Sequence, residues 1–113
     1  MKLELLHIAN CPNTEATRRL LDKTLRELGL TEDIREIEVS DSPQAQALSF
    51  PGSPTIRIDG IDVEPSLQRE KSDGLSCRIY MTEGKRHAVP TQEMIRRALR
   101  AAVLGADTGV KEA

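Results

Sequence analysis

An apolar run close to the N-terminus, residues 2–8, is too dense for a strand that has one face in water. Leu5, Leu6 and Ile8 fill both faces of such a strand, whereas a half-exposed strand alternates apolar and polar positions. A strand that is apolar on both faces needs a layer of structure on each side, as in the sheets of α/β proteins. The run therefore predicts an α/β fold whose sheet is covered on both faces.

An amphipathic helix is predicted after this strand, from Thr14 to Leu28. Leucine and threonine side chains recur on one face of the segment at the 3.6-residue spacing of a helix, and most charged side chains lie elsewhere. Pro12 suits the first turn of a helix, so we expect Cys11 at or near the N-cap. Gly29 is well placed to end the helix.

The remaining patterns predict the element order βαβα-ββα, with an extra strand before the last helix. The further elements are a strand over 34–39, a short helix over 42–48, hairpin strands over 55–58 and 61–63, a strand over 77–81 and a helix from 91 to a stop at Gly105. A parallel, right-handed β-α-β unit and an antiparallel hairpin at Asp59-Gly60 give a mixed sheet with helices on both faces. We expect one domain over residues 1–105 and a flexible tail over 106–113.

Composition argues against nucleic-acid binding and against a membrane span. The net charge is −2 and the aromatic residues are Phe50 and Tyr80, whereas a nucleic-acid surface needs excess positive charge and stacking platforms. No apolar run approaches the roughly 18 residues that span a bilayer, and the N-terminal segment lacks the pattern of a secretory signal. Two cysteines do not make a disulfide framework. We therefore expect a cytoplasmic protein in a reducing setting.

The segment Cys11-Pro12-Asn13-Thr14 is the first candidate for chemistry. A thiol at the start of a helix faces unpaired backbone N–H groups and the positive end of the helix dipole. Both favour the thiolate, which lowers the pKa of the thiol and raises its reactivity. Thr14 lies three residues further on, where its hydroxyl can donate to the thiolate. The alternative is that Cys11 is an inert capping residue, although Ser, Thr, Asp and Asn are preferred there.

The segment Ser53-Pro54-Thr55 is the second candidate, because it stands immediately before a predicted strand. A proline cannot donate within a sheet, so it belongs at the first position of a strand. We expect a cis peptide bond before Pro54, which would turn the chain sharply and leave the backbone groups of Ser53 and Thr55 free to pair with an extended ligand. The alternative is an ordinary trans proline that starts a strand.

Together these features resemble the thioredoxin-like family. The resemblance covers roughly residues 2–64 and 91–104. It implies that Cys11 is the nucleophilic cysteine and that Pro54 is the cis-proline of that family. It also implies that Ser53 contacts substrate through its backbone.

The chain departs from the usual Cys-x-x-Cys motif of that family, because Thr14 stands where the second cysteine would be. The motif therefore lacks a resolving thiol, although relatives with a single cysteine in a Cys-x-x-Ser motif exist. Residues 65–90 are also longer than the family core needs, and they contain Cys77. The predicted topology permits Cys77 either near Cys11, as a distant resolving thiol, or at the far end of its strand, and the sequence leaves both placements open.

The resemblance implies thiol–disulfide exchange of the monothiol type, centred on Cys11. The Cys11 thiolate would attack a disulfide or another electrophilic sulfur while the backbones of Ser53 and Thr55 hold the substrate. An external thiol such as glutathione, or Cys77, would then release the product. Two alternatives are a binding module without turnover and a protein that binds a thiophilic metal through Cys11 and Cys77. The cysteine and histidine spacing matches no compact zinc motif, so we expect no resident metal or other cofactor.

Overall fold

The computed structural model describes residues 1–65, 75 and 78–112. Strands and helices alternate through the first half of the chain, and two hairpins and a long helix follow. The elements are β1 (Leu3–His7), α1 (Thr14–Glu27), β2 (Ile34–Glu38), α2 (Ser42–Ala47), β3 (Thr55–Ile58), β4 (Ile61–Asp62), β5 (Tyr80–Thr82), β6 (Lys85–His87) and α3 (Gln92–Glu112).

The main sheet is mixed and has the strand order β2-β1-β3-β4. β1 pairs with β2 in parallel, as expected for strands joined through a helix, and β3 runs antiparallel to both β1 and β4. Leu5, near the middle of β1, lies between Glu36 of β2 and Ile56 of β3. This arrangement confirms the predicted α/β fold with a mixed sheet.

Apolar side chains cover both faces of the sheet, as the first apolar run predicts. Leu3 and Leu5 point to the face that packs against α1 and α3, whereas Leu6 points to the opposite face, towards α2. The larger core contains Leu3, Leu5, Leu21, Leu25, Ile56, Ile58, Val63, Tyr80, Met94, Ile95 and Leu99. The smaller core contains Leu6, Val39, Ala45 and Phe50. Since burial of one such side chain stabilises the fold by about 1.5–3 kcal/mol, this double coverage holds the sheet between its helices.

Both hairpins turn through residues in the left-handed region. Asp59 and Gly60 have φ angles of 53° and 82°, which a two-residue type I′ hairpin requires, and this turn is the predicted one. Glu83 and Gly84, with φ angles of 51° and 76°, join β5 to β6 in the same way. The predicted strand over 77–81 begins later, at Tyr80, and β6 was not predicted because its residues are charged and do not alternate.

The predicted start of α1 at Thr14 is confirmed, and the predicted end of the last helix is wrong. Asn13 is the N-cap of α1, so Pro12 precedes the helix instead of lying in its first turn, and Cys11 lies two residues before the cap. The last helix does not stop at Gly105: α3 continues to Glu112, so residues 106–112 are helical. A glycine inside a helix costs about 1 kcal/mol relative to alanine, but it does not end a helix by itself. Within the described residues, no helix combines the length and apolar content that crossing a membrane requires.

Candidate functional site

Cys11 lies at the junction between β1 and α1, where its free thiol is partly exposed to solvent. Asn10, the residue before it, has a φ angle of 59° and so adopts the left-handed conformation that asparagine tolerates better than most residues. The chain turns there from the sheet into the helix. This turn leaves the thiol next to the N-terminus of α1.

Backbone amides at the start of α1 stabilise the thiolate of Cys11. The N-cap residue, Asn13, makes no capping hydrogen bond through its side chain, and the backbone N–H groups of Asn13 and Thr14 lower the pKa of the Cys11 thiol. The Thr14 N–H also donates to the carbonyl oxygen of Cys11 at 3.4 Å. These amides are among the groups that a helix leaves without an intrahelical partner. The thiolate is thus stabilised by amides at the positive end of the helix dipole.

Two hydroxyl groups complete the surroundings of the sulfur. Ser53 is fully buried, and its Oγ accepts the N–H of Ile8 at 3.1 Å, so its own hydrogen is available to donate to the sulfur. Thr14 is 8% exposed, and its Oγ1 is buried without a hydrogen-bond partner. The same hydroxyl lowers the pKa of Cys11, so it stabilises the thiolate more than the neutral thiol.

The balance of these effects favours the ionised thiol. Partial burial raises the pKa of Cys11, because it disfavours the charged form. The Ser53 hydroxyl, the Asn13 amide and the two donors of Thr14 act in the opposite direction and together outweigh burial, so the pKa of Cys11 lies below its ordinary value. A lowered pKa increases the fraction of the nucleophilic form at neutral pH.

The segment at Pro54 is closed by residues 78–80, which contradicts part of the prediction. The Ser53–Pro54 peptide bond is cis. The carbonyl oxygen of Ser53 accepts the N–H of Arg78 at 2.8 Å, and the carbonyl oxygen of Pro54 accepts the hydroxyl of Tyr80 at 2.6 Å. The expectation that the backbone of Ser53 is free for a ligand is therefore wrong for its carbonyl, because a later part of the same chain occupies it.

Thr55 lies away from solvent and is fully buried. Its backbone is in the β1–β3 ladder opposite Leu6, and its hydroxyl donates to the carbonyl oxygen of Gly52 at 2.6 Å. The same hydroxyl accepts a hydrogen bond from the guanidinium of Arg78 at 3.0 Å. Residues 52–55 and 78–80, which these hydrogen bonds join, form a wall of the site. Thr55 is part of this wall, whereas the sequence predicts that its backbone binds substrate.

A buried ion pair between Arg78 of this wall and Asp62 was not predicted from the sequence. Arg78 and Asp62 are 2.7 Å apart, and their side chains are 3% and 0% exposed. The Arg78 guanidinium also donates to the carbonyl of Glu64 at 3.1 Å and lies 4.5 Å from the centre of the Tyr80 ring. Burial raises the pKa of the Tyr80 hydroxyl. The available signal was the position of Arg78 inside an apolar segment, but its sequence gave no indication of the partner.

Gly52 allows the close approach between Arg78 and the Pro54 segment. Its φ angle is 140°, a region that L side chains rarely adopt. A Cβ atom at this position would lie 3.0 Å from the Cβ of Arg78 and 3.2 Å from its Cα. The backbone of Arg78 is thus in direct contact with the residue that precedes Ser53.

Cys77 lies outside the described residues, so its two alternative placements, near Cys11 or at the far end of its strand, both stay open. The described ranges, 1–65, 75 and 78–112, contain no group of three or more His, Cys, Asp or Glu side chains that could hold a metal ion. The structure therefore brings together Cys11, Thr14 and Ser53, and it adds Arg78 to the residues that the sequence singled out.

Comparison with known proteins identifies the family of the chain without indicating an activity. A family model described as a domain of unknown function, DUF2703, matches residues 10–99. No curated protein and no solved structure matches the chain. The match covers most of the sequence and includes Cys11 together with the wall formed by residues 52–55 and 78–80, so this protein belongs to the DUF2703 family.

Proposed function

We propose that this protein carries out thiol–disulfide exchange of the monothiol type, with Cys11 as the nucleophile. The observation that carries the proposal is the set of groups that lower the pKa of one partly exposed sulfur, among them a buried hydroxyl of Thr14 that has no hydrogen-bond partner. A hydroxyl buried without a partner is unfavourable unless some group accepts from it. A thiolate at Cys11 meets that need and is also the reactive form.

The exchange proceeds in two balanced steps. The Cys11 thiolate attacks one sulfur of a disulfide, a mixed disulfide with Cys11 forms, and the displaced sulfur leaves as a thiolate that takes a proton from water. A second thiol, such as glutathione, then attacks the mixed disulfide as its thiolate. This attack releases Cys11 as a thiolate and leaves the substrate fragment joined to the external thiol, so the electrons balance without any other oxidant or reductant.

The same donors assist both steps. In the first step, the Ser53 and Thr14 hydroxyls increase the thiolate fraction of Cys11 at neutral pH. In the second step, Cys11 is the leaving group, and a thiol with a lower pKa leaves faster. The hydroxyl donors therefore act in the release of product as well as in the attack.

The resemblance to the thioredoxin-like family supports this proposal. A cysteine follows the first strand and precedes the first helix, and Pro54 stands directly before β3, beside that cysteine through Ser53. Thr14 in place of a second cysteine accounts for the monothiol form of the reaction, since the motif offers no second thiol to resolve the mixed disulfide. Cys77 is a further candidate for that role on sequence grounds alone.

Exchange with a model disulfide in the presence of glutathione tests the proposal. We expect the wild type to accelerate the reaction and Cys11→Ser to reduce the rate to the uncatalysed level. Cys77→Ser is the matched control, because it removes the other cysteine and should keep the activity when glutathione is in excess. Equal rates for wild type and Cys11→Ser, or a measured pKa of Cys11 at or above the free value of about 8.5, would contradict the proposal. A mixed disulfide that forms on Cys11 without turnover would favour the binding module instead.

A further inference from the structure

The three successive carbonyl groups of Gly52, Ser53 and Pro54 already have donors from within the chain. The carbonyl of Gly52 accepts the hydroxyl of Thr55 at 2.6 Å. The carbonyls of Ser53 and Pro54 accept the Arg78 N–H at 2.8 Å and the Tyr80 hydroxyl at 2.6 Å. This segment therefore presents a row of acceptors that are satisfied before any substrate arrives.

A peptide that binds in an extended conformation needs such acceptors. Binding of this kind adds a strand to the host, and its affinity comes from main-chain hydrogen bonds between the two backbones. At Ser53 the bond that an added strand would make to the carbonyl is already made by the backbone of Arg78. An incoming peptide would have to displace residues 78–80 or share the Ser53 carbonyl oxygen with the Arg78 N–H.

The residues that close this segment are held firmly. The Arg78 side chain is buried and bonds to Asp62, Thr55 and the carbonyl of Glu64. Its backbone contacts Gly52 so closely that even a methyl group would not fit between them. Displacing the Arg78 side chain would leave Asp62 buried without its charged partner, which is strongly unfavourable.

The thiol itself remains reachable. Cys11 is partly exposed, and the donors around its sulfur come from Ser53 and from the first residues of α1. A molecule that needs only to reach the sulfur meets no obstacle from the hydrogen bonds of residues 78–80. The site thus distinguishes disulfides that reach the sulfur without pairing to the protein backbone from peptide disulfides that need such pairing.

We propose that the substrates of Cys11 are low-molecular-weight disulfides that lack an extended peptide backbone, and that the contacts of residues 78–80 with Gly52–Pro54 exclude extended peptides. This inference rests on the proposed exchange activity. It names the substrate class that the site selects, and it replaces the expectation that the Ser53 backbone holds a substrate strand.

A pair of matched mixed disulfides tests the inference. Both contain 2-mercaptoethanol as the leaving thiol; one joins it to a second small thiol, and the other joins it to a cysteine at the centre of an extended peptide. Each rate with wild-type protein is divided by the rate of the same disulfide with free thiolate, and Cys11→Ser supplies the background. We expect the acceleration to be at least about tenfold greater for the small disulfide, which corresponds to about 1.4 kcal/mol.

The outcomes separate this inference from the proposed function. Equal or greater acceleration of the peptide disulfide would overturn the inference and leave the exchange activity standing. No Cys11-dependent acceleration of either disulfide would overturn both.

A second variant assigns the selection to the closed segment. Tyr80→Phe removes the donor to the Pro54 carbonyl and keeps the aromatic ring in the core. We expect the ratio of peptide rate to small-disulfide rate to rise by up to about fivefold, the equivalent of one ordinary hydrogen bond. If the wild type discriminates and the Tyr80→Phe variant has the same ratio of peptide rate to small-disulfide rate, the selection arises elsewhere and the inference fails.

Discussion

Replacing Thr14 with valine separates the action of one hydroxyl on the thiolate from its action on folding. Valine keeps the branched shape of threonine, so the change removes a single oxygen and leaves the packing nearly intact. Thr14 is 8% exposed, and its Oγ1 is buried without a hydrogen-bond partner. This hydroxyl lowers the pKa of Cys11, so the substitution tests its action on the thiolate.

We expect Thr14→Val to hold less thiolate than the wild type and, at a pH where Cys11 is protonated, to be no less stable. A hydrogen bond contributes about 0.5–1.5 kcal/mol, and tenfold in an equilibrium constant corresponds to about 1.4 kcal/mol, so at a pH below the pKa of Cys11 the thiolate fraction should fall about two- to tenfold. Since burial of a hydroxyl without a partner is unfavourable, the free energy of unfolding at that pH should stay equal or rise by about 1 kcal/mol, whereas above the pKa the lost stabilisation of the thiolate offsets this gain.

The assay is the rate of alkylation of Cys11 against pH, measured in a Cys77→Ser background so that one thiol reacts. Urea denaturation of the same proteins gives the free energy of unfolding. Thr14→Ser is the matched control, because it keeps a hydroxyl at the same position and should keep most of the thiolate. An unchanged thiolate fraction in Thr14→Val, or a loss of stability greater than about 1 kcal/mol at a pH where Cys11 is protonated, would refute the assignment of this hydroxyl to the sulfur.

Other changes test the wall behind the thiol and the ionisation of the thiol itself. Asp62→Ala should lower the free energy of unfolding, measured in urea, by about 3–5 kcal/mol, because it leaves Arg78 buried without its charged partner. The double variant Asp62→Leu with Arg78→Met should lose less stability. A loss below about 1 kcal/mol for Asp62→Ala would contradict this expectation. Gly52→Ala should cost about 1–3 kcal/mol through backbone strain and its contact with Arg78, more than Gly60→Ala, where a Cβ meets nothing within 4 Å; equal losses would show that the contact is unimportant. Although burial acts the other way, hydrogen bonds hold the pKa of Cys11 below that of the unfolded thiol, so the unfolded chain binds more protons between the two pKa values. The stability of wild type relative to Cys11→Ser should therefore rise with pH across that interval and level off above about 8.5, and a difference that is constant or falls with pH would contradict the lowered pKa.

Local patterns predicted the parts of the fold that depend on local physics. The density of Leu5, Leu6 and Ile8 required layers on both faces of β1, and the two cores provide them. Asp59-Gly60 predicted its hairpin because few residue pairs tolerate two successive positive φ angles. The helix end at Gly105 was wrong because glycine permits a stop without imposing one.

The closed wall of the site could not be predicted, because it depends on contacts between distant residues. Arg78 meets Asp62, 16 positions away, and Ser53, 25 positions away, and neither pairing leaves a periodic signal in the sequence. A single arginine in an apolar segment fits an exposed strand position as well as a buried ion pair. The thiol side of the site was accessible to sequence reasoning, since Thr14 lies within one helical turn of Cys11.

Arg78 joins the two ends of the segment between Glu64 and itself. Arg78 bonds to Asp62 and to the carbonyl of Glu64 on one side, and its own backbone rests on Ser53 on the other. The chain between Glu64 and Arg78 therefore starts and finishes at the same anchored point. Since doubling the length of a closed loop costs only about 0.6 kcal/mol, we expect insertions between these two anchors to leave the geometry around the thiol unchanged.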